Sequence, residues 1–262
     1  MQIKKAFCLP LLLALLCTVA SLQSAQAAGD GGTEDQANTS RWGLGLGVST
    51  KRSPYLGVKN DTSVIPLLSY ENRYVRFFGN TLDIKLPSAG EFDFALRSKF
   101  AFGEGYKGSD SVFLNGMGDR KGALYLGAAA IWRGPYARVS LEALRAMGSS
   151  KGTRVKLDVE HAFRFDRRFE LTPHLGAEVV DSKYVDYYFG VKAAEATLFR
   201  PQFAGRRTTL IEGGVRLGYV IDRNQRLLMD VTDTHWGSGI TSSPLVQRSS
   251  TPGIRIGYLY GF

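Results

Sequence analysis

Cysteine is almost absent from this 262-residue chain: its two cysteines, Cys8 and Cys17, lie close to the N-terminus. The rest of the chain therefore lacks the thiols needed for disulfides, iron–sulfur clusters or thiol catalysis. Histidine is also scarce, at three residues. The sequence contains no Gly-x-Ser-x-Gly motif, no metal-ligand cluster and no phosphate-binding loop. These absences predict a protein that holds no metal or other cofactor, and they give enzymatic activity little support.

Long apolar runs are absent after residue 27, but one precedes it. Lys4 and Lys5 form a basic start, an apolar segment follows over residues 7–22, and Ala25-Gln26-Ala27 fits a small-x-small cleavage site. We therefore expect residues 1–27 to be a signal peptide that is removed on export. No later segment reaches the ~18 apolar residues of a membrane helix. Export makes nucleic acid an unexpected partner, so the net charge of +9 indicates either attraction to lipopolysaccharide phosphates or a solvated surface.

Alternation of apolar residues with small or charged ones is the strongest pattern that the chain does contain. In a strand, the last nine residues place these side chains on one face: Ile254, Ile256, Tyr258, Tyr260 and Phe262. The opposite face is mostly glycine and arginine. A soluble protein seldom exposes such a strand, whereas lipid covers the outer face of a transmembrane barrel and closure removes the edge.

The same alternation recurs along the chain, in segments close to the ~9–11 residues of a tilted membrane-spanning strand. The sequence therefore predicts an all-β fold, a transmembrane antiparallel β-barrel of about 12 strands, with 10 or 14 as alternatives and a soluble β-sandwich less favoured. Residues 28–40 would form a periplasmic N-terminal tail and residues 41–262 the barrel. The strands are predicted near residues 41–51, 63–71, 73–79, 80–87, 91–102, 121–133, 135–147, 152–166, 168–182, 206–221, 224–235 and 251–262.

The predicted connections differ in length between the two ends of this barrel. If Arg41 starts in the periplasm, the short connections rich in turn residues are periplasmic. The long connections near residues 103–120, 183–205 and 236–250 then all lie outside, as in other outer-membrane barrels. We therefore expect the protein in the outer membrane of a Gram-negative cell, surrounded by outer-membrane lipid and lipopolysaccharide.

The predicted lumen carries charges of both signs, and two interpretations are open. The favoured one is an internal ladder of salt bridges that fills the barrel, because nothing indicates a selectivity ring of one sign. The other is a small polar pore. The predicted lumen residues are Asp83, Lys85, Asp93, Arg97, Lys99, Arg138, Glu142, Lys156, Asp158, Glu160, Glu178, Arg216 and Asp230.

An enzymatic alternative depends on histidine. Asp233, His235 and Ser238 offer an acid, a base and a hydroxyl within six residues, and a Ser–His–Asp mechanism requires such groups to converge in space. Of the other histidines, His174 is predicted in the lumen and His161 on the lipid face. A trio of this kind at a loop edge is more often ordinary polar loop chemistry, so an outer-membrane lipid hydrolase is the least favoured function.

The most distinctive segment outside the strands runs from Tyr184 to Arg207. It resembles the Tyr-Tyr-Gly-Val … Glu-Ala … Arg-Pro signature of the MipA/OmpV family of outer-membrane proteins, and it departs from that signature at Phe189, which precedes Gly190. Other segments resemble family motifs in the same order: Pro66-Leu67-Leu68-Ser69-Tyr70, Gly116-Met117-Gly118-Asp119-Arg120, Ser243-Pro244-Leu245-Val246 and the ending from Tyr260 to Phe262. Together they cover nearly all of the chain after the signal peptide.

The resemblance implies a scaffold. Members of the family, named after MltA-interacting protein, are described as linking a murein lytic transglycosylase to a penicillin-binding protein in cell-wall growth, and others as adhesins or antibiotic-response proteins. The implied interaction residues are those of the signature: Tyr187, Tyr188, Gly190, Val191, Glu195, Ala196, Arg200 and Pro201. The implied signal for the barrel-assembly machinery is Tyr258, Tyr260 and Phe262.

The place of the signature loop stays open, because a murein partner lies in the periplasm whereas the predicted topology puts the loop outside. The loop either folds into the lumen as a plug, or binds an external partner, or has a structural role. In the structural interpretation, Tyr187, Tyr188 and Pro201 pack over the barrel mouth and Glu195 forms an ion pair with Arg200. The sequence thus predicts a non-enzymatic interaction protein, with a narrow pore or a surface adhesin as alternatives.

Overall fold

The computed structural model of the protein describes residues 40–262, so the predicted signal peptide and nearly all of the predicted tail lie outside the described residues. One antiparallel sheet closes on itself through pairing of β10 with β11. Its strands are β1 (Arg41–Lys51), β2 (Asp61–Glu71), β3 (Val75–Phe78), β4 (Thr81–Lys85), β5 (Phe92–Phe100), β6 (Leu124–Arg133), β7 (Arg138–Met147), β8 (Thr153–Glu160), β9 (Phe163–Arg164), β10 (Phe169–Val180), β11 (Thr208–Val220), β12 (Gln225–Trp236) and β13 (Ser250–Gly261).

Strands β8 and β9 are two pieces of one barrel strand, since both pair with β10. The barrel therefore has twelve strands, and the predicted number is confirmed. The prediction of an unbroken strand over residues 152–166 is wrong, because the ladder is interrupted at His161 and Ala162. Strands β3 and β4 are short and are joined by a tight turn, in which Gly79 has φ of +60°, a conformation that glycine adopts readily.

The first and last strands show why an alternating sequence forms a barrel wall. In β1, Leu44, Leu46 and Val48 are exposed on the outer face, whereas Gly43 and Gly47 are buried. Strand β13 pairs with β1 along nine residues, with Gly43 opposite Gly261. The exposed apolar side chains form the surface that lipid covers in an outer-membrane barrel.

The connections separate into two groups, as predicted. We call the end of the barrel with the short connections the turn end; these are residues 72–74, 86–91, 134–137, 165–168 and 221–224. The opposite end, the loop end, carries the longer connections, residues 52–60, 101–123, 181–207 and 237–249, together with two short ones. Which end faces the cell exterior stays a prediction.

Two α-helices lie in the connections of the loop end: α1 (Ser182–Phe189) and α2 (Ser238–Thr241). Between residues 40 and 262, no helix has the length and apolar character needed to cross a membrane. The buried apolar core also lies at the loop end, because it is formed by the loops and the adjoining strand ends. Its largest fully buried side chains include Tyr125, Tyr188, Leu114, Leu144 and Ile240.

Candidate functional site

Helix α1 is the centre of the candidate site, and its local sequence fixes its two ends. Asp181 caps the N-terminus by accepting a hydrogen bond from the Tyr184 N–H at 2.8 Å. At the C-terminus, the Gly190 N–H donates to the Asp186 carbonyl at 3.0 Å. A Cβ atom at Gly190 would lie 2.2 Å from that same oxygen, so a larger residue would force the chain apart.

One side of α1 packs on the barrel wall. Tyr184 and Tyr188 are buried, and the Tyr188 hydroxyl donates to the carbonyl of Lys121 at 3.3 Å. The Arg154 guanidinium lies over the Tyr184 ring at 5.8 Å and over that of Tyr125 at 5.1 Å, within the range of cation–π attraction. These contacts join the helix to β6 and β8.

The other side of α1 packs on the remaining loops. The Phe189 ring stacks on Tyr55 at 5.3 Å and meets Trp236 edge-on at 5.6 Å. The Tyr55 hydroxyl donates a hydrogen bond to the Tyr188 carbonyl at 3.2 Å, and the Ser243 hydroxyl donates one to the Phe189 carbonyl at 2.6 Å. Phe189, the residue that departs from the family signature, is therefore a central packing residue. We call α1 and the chain up to Gly205 the plug.

Glu195 ties the plug to the loop between β5 and β6. Both carboxylate oxygens accept from Arg120 at 2.9 Å, and one accepts from the Gly118 N–H at 3.0 Å. The side chains of Glu195 and Arg120 are 10% and 7% exposed. Burial acts to raise the pKa of Glu195, but the Gly118 N–H and Arg120 outweigh it, so the pKa lies below its ordinary value.

Arg200 fixes the far part of the plug through carbonyl groups. It donates to the carbonyl of Phe113 at 2.6 Å, to that of Asn115 at 3.0 Å and to that of Glu195 at 2.8 Å. The predicted ion pair between Glu195 and Arg200 is wrong: Arg200 contacts the backbone of Glu195, whereas the Glu195 carboxylate binds Arg120.

The eight signature residues therefore divide by burial. Tyr188, Gly190, Val191 and Arg200 are buried, and Tyr187 and Glu195 are half-buried. Ala196 and Pro201 are exposed, so the expectation that Pro201 packs over the barrel mouth is wrong. The exposed tip of the plug instead presents Leu198 and Phe199, which are 98% and 95% exposed.

Sequence reasoning missed the arginine that anchors the plug to the wall. Arg154 pairs with Glu104 at 2.7 Å and also with Glu178, and Glu104 accepts from the Tyr125 hydroxyl at 3.1 Å. In β8, Arg154 lies on the face opposite that of the neighbouring Val155. Nothing local in the sequence indicates its contact with Tyr184.

A crevice of about 670 Å³ lies beside the plug at the loop end. Its lining includes Lys51, Tyr55, Tyr106 and Trp236. The Tyr106 hydroxyl is buried and has no hydrogen-bond partner among residues 40–262. Burial raises the pKa of Tyr106 to about 12 and raises that of Tyr55 as well, so both are neutral phenols near pH 7.

The lumen below the plug contains the predicted charges, which form ion pairs along the wall. Arg97 lies 2.7 Å from Asp83 and 2.7 Å from Glu142, and Lys99 lies 3.0 Å from Glu142. Further pairs continue the series around the barrel: Arg138–Glu160, Lys156–Glu212, Arg216–Glu160, Arg216–Asp230 and Arg255–Asp230. The salt-bridge ladder is thus confirmed as a structural feature.

The structure does not assemble the residues of the hydrolase alternative. Asp233 and His235 lie 3.7 Å apart, and His235 is exposed on the outer face of β12. Ser238 starts α2, and in the described part of the chain it makes no side-chain hydrogen bond to either residue. His174 lies in the lumen as predicted, where it contacts Asp230 at 3.1 Å.

Comparison with known proteins gives one family match. The family described as MltA-interacting protein MipA matches residues 44–262 of the chain. Three similar relatives are named outer membrane proteins: OmpV of Vibrio cholerae (28% identical, covering 67% of this chain and 65% of that protein), Omp26La of Vibrio anguillarum (27%, 67% and 65%), and the 24 kDa outer membrane protein of Pasteurella multocida (24%, 84% and 90%).

Two solved structures are distant matches in a comparison of folds. An outer membrane channel from Pseudomonas putida F1 is 12% identical with a TM-score of 0.46, and the match covers 92% of this chain and 100% of the channel. The NanC porin is 8% identical with a TM-score of 0.42, covering 83% and 98%. Likenesses this distant do not indicate a function.

Proposed function

Because the chain belongs to the MltA-interacting protein MipA family, we propose that this outer-membrane barrel is a non-enzymatic scaffold, linking a murein lytic transglycosylase to a penicillin-binding protein in cell-wall growth. The single observation that carries the proposal is the plug. Six of the eight signature residues are buried or half-buried in it, with Tyr188 only 1% exposed. A barrel closed by its longest loop suits a rigid platform better than a conduit for solutes.

The partner surface would then lie elsewhere on the molecule. The turn end is predicted to face the periplasm, where murein and its enzymes are located. Its connections project exposed side chains, among them Tyr74 and Tyr136, which are 59% and 83% exposed. Aromatic residues of this kind are common anchors in protein interfaces.

Photocrosslinking in cells tests the scaffold directly. A photoreactive phenylalanine analogue at Tyr136 replaces an exposed ring by a similar one, whereas the neighbouring Gly134 is a poor site because its Cβ would lie 2.2 Å from the Trp132 ring. A second probe at Phe199 reports on the exposed plug tip. The buried Tyr188 would report only contacts within the protein.

The scaffold proposal expects murein enzymes among the adducts at Tyr136 and none at Phe199. A probe at Leu46, exposed on the lipid face of β1, is the matched control and should trap lipid alone. A further probe at Tyr74 samples the neighbouring part of the turn end, and murein enzymes missing from the adducts at both tyrosines in growing cells would contradict the scaffold. External proteins captured at Phe199 would instead favour a surface adhesin.

A narrow pore is the second candidate, and the crevice beside the plug favours it. Lys51, Trp236 and Thr251, at the loop-end termini of β1, β12 and β13, line this crevice. Conductance in planar bilayers separates the two candidates. The scaffold proposal, with its closed plug, predicts little conductance from the native protein. It also predicts a clear increase for Tyr188→Ala, because the removed ring leaves a gap against the wall. Tyr136→Ala at the turn end is the matched control. Stable native channels that Tyr188→Ala leaves unchanged would establish the pore and contradict a closed plug.

A further inference from the structure

The crevice beside the plug has the size and the lining of a small-molecule site. Its volume of about 670 Å³ lies within the roughly 300–1,000 Å³ of pockets that hold organic ligands. It lies at the loop end between the connections at residues 52–60 and 101–123, with the plug on one side. Its lining combines aromatic rings with charged side chains, and pockets of this kind use a few polar groups to orient a ligand between apolar walls.

Unpaired cations outnumber unpaired carboxylates in this lining. Five basic side chains form no ion pair within residues 40–262: Lys51, Arg52, Lys59, Lys107 and Lys121. Three lining carboxylates form none in the same part of the chain: Asp61, Asp110 and Asp119. Two of these three accept hydrogen bonds from backbone N–H groups. The other lining charges, Arg120 and Glu104, are paired with Glu195 and Arg154. The crevice therefore has an excess of positive charge and attracts anions.

Lys51 is the cation best placed to hold a ligand. It is half-buried, whereas the other four are exposed, so water weakens a charge contact with Lys51 less. Its ammonium group donates to the Gly103 carbonyl at 2.9 Å, which positions the group and leaves two of its three N–H donors for other partners. Asp61 is opposite Lys51 in the pairing of β1 with β2, but the two form no ion pair. Asp61 should therefore weaken the attraction of Lys51 for an anion without cancelling it.

Trp236 provides an apolar wall. It is half-buried and is the least buried of the aromatic residues that line the crevice. Its indole N–H donates to the Thr251 hydroxyl at 2.9 Å, and its ring meets Phe189 edge-on at 5.6 Å. These contacts hold the ring in place before a ligand binds, which lowers the cost of binding. Strand β13 lies between β1 and β12, so Lys51 and Trp236 reach the crevice from the two sides of one strand.

We propose that this crevice binds a small organic anion, with its negative group on Lys51 and its planar apolar part against Trp236. A carboxylate or phosphate accepts charge-assisted hydrogen bonds from an ammonium group, and a flat apolar body covers the indole ring. A neutral ligand leaves the positive charge uncompensated, and an inorganic anion leaves the apolar wall uncovered. The site is independent of the scaffold function.

A fluorine NMR titration of the purified full chain in a neutral detergent tests this site. The probe is 5-fluoroindole-3-acetate, and the reference is its neutral amide, 5-fluoroindole-3-acetamide, which has the same ring. We expect saturable binding of the acid with a dissociation constant of about 1 mM or lower, as for an efficient ligand of this size. The amide should bind at least about tenfold more weakly. Detergent without protein gives the baseline for partitioning into micelles.

Three variants assign the binding to this crevice. Lys51→Met should weaken binding of the acid by about tenfold, the effect of one charge-assisted hydrogen bond, and should leave binding of the amide unchanged. Asp61→Asn removes the opposing carboxylate and should tighten binding of the acid, which keeps the test open where Lys51→Met fails to fold. Lys183→Met is the matched control, because it removes an exposed lysine of α1 that lies outside the crevice lining, and it should change neither affinity.

Equal affinities of acid and amide would overturn the proposal, since charge would then have no role. Equal weakening by Lys51→Met and Lys183→Met would show a general charge effect and overturn it as well. Acetate that displaces the acid at the acid's own affinity would identify a free-anion site without an apolar wall, which also contradicts the proposal. A titration without saturable binding of the acid would exclude the site outright.

Discussion

Replacing Glu195 by glutamine tests whether the plug depends on one buried ion pair. Both carboxylate oxygens accept from Arg120, and the two side chains are at most 10% exposed. Breaking a buried pair costs roughly 3–5 kcal/mol, because one charge is left without its partner. Arg120 keeps two carbonyl acceptors, those of Tyr187 and Gly118, both at 2.8 Å. We therefore expect a cost of about 2–3 kcal/mol, confined to the plug.

Hydrogen exchange followed by mass spectrometry gives this cost segment by segment. At about 1.4 kcal/mol for each factor of ten, exchange across residues 182–205 should accelerate by about 30- to 150-fold, with β10 and β11 unchanged. The control is Glu71→Gln, whose partner Lys85 sits in a half-exposed pair worth under ~1 kcal/mol. Exchange in the plug within threefold of the native protein, or equal acceleration in the strands, would refute the reasoning.

Three further predictions concern single side chains of the plug and the barrel. The pKa of Glu195 lies below its ordinary value of 4.5, so its stabilisation is complete above that pH and is lost as the pH falls through the lowered value. After correction for the pH dependence of the intrinsic exchange rate, the opening equilibrium of the plug should therefore increase on acidification in the native protein but not in Glu195→Gln. Arg97→Met removes the guanidinium shared by the buried carboxylates of Asp83 and Glu142 and should cost about 3–5 kcal/mol in denaturant unfolding of the barrel, whereas Arg133→Met, which breaks an exposed pair, should cost under ~1 kcal/mol. Gly190→Ala should loosen the plug by about 1–3 kcal/mol by hydrogen exchange, while Gly213→Ala, with 3.8 Å of clearance, should not.

Local patterns in the sequence were sufficient to predict the barrel wall. Alternation specifies which side chains face lipid, and turn residues specify where strands reverse, so the strand number and the division into turn end and loop end were correct. The interruption at His161 and Ala162 was missed, because the alternation of apolar residues continues on both sides of it.

The plug could not be predicted, because its contacts join residues far apart in the chain. Glu195 and Arg200 are close in sequence and have opposite charges, yet Glu195 pairs with Arg120, which lies 75 residues away. Phe189 looked like an insertion in a motif, although its ring contacts Tyr55 and Trp236. Such pairings depend on how four loops meet over the barrel mouth. The local alternation of apolar and polar residues carries no information about contacts between distant loops.

The burial of the signature residues bears on where any partner binds. Tyr188 and Val191 contact a partner only if the plug leaves the barrel mouth, and release would have to break the Glu195–Arg120 pair and expose the ring of Phe189. Full exposure of one such ring costs about 1.5–3 kcal/mol, before the cost of the broken ion pair is added. A partner that binds the closed barrel avoids this cost by using surfaces that are already exposed. In the scaffold proposal the loop end closes the barrel, and the turn end, with its exposed Tyr74 and Tyr136, is the surface available to a protein partner.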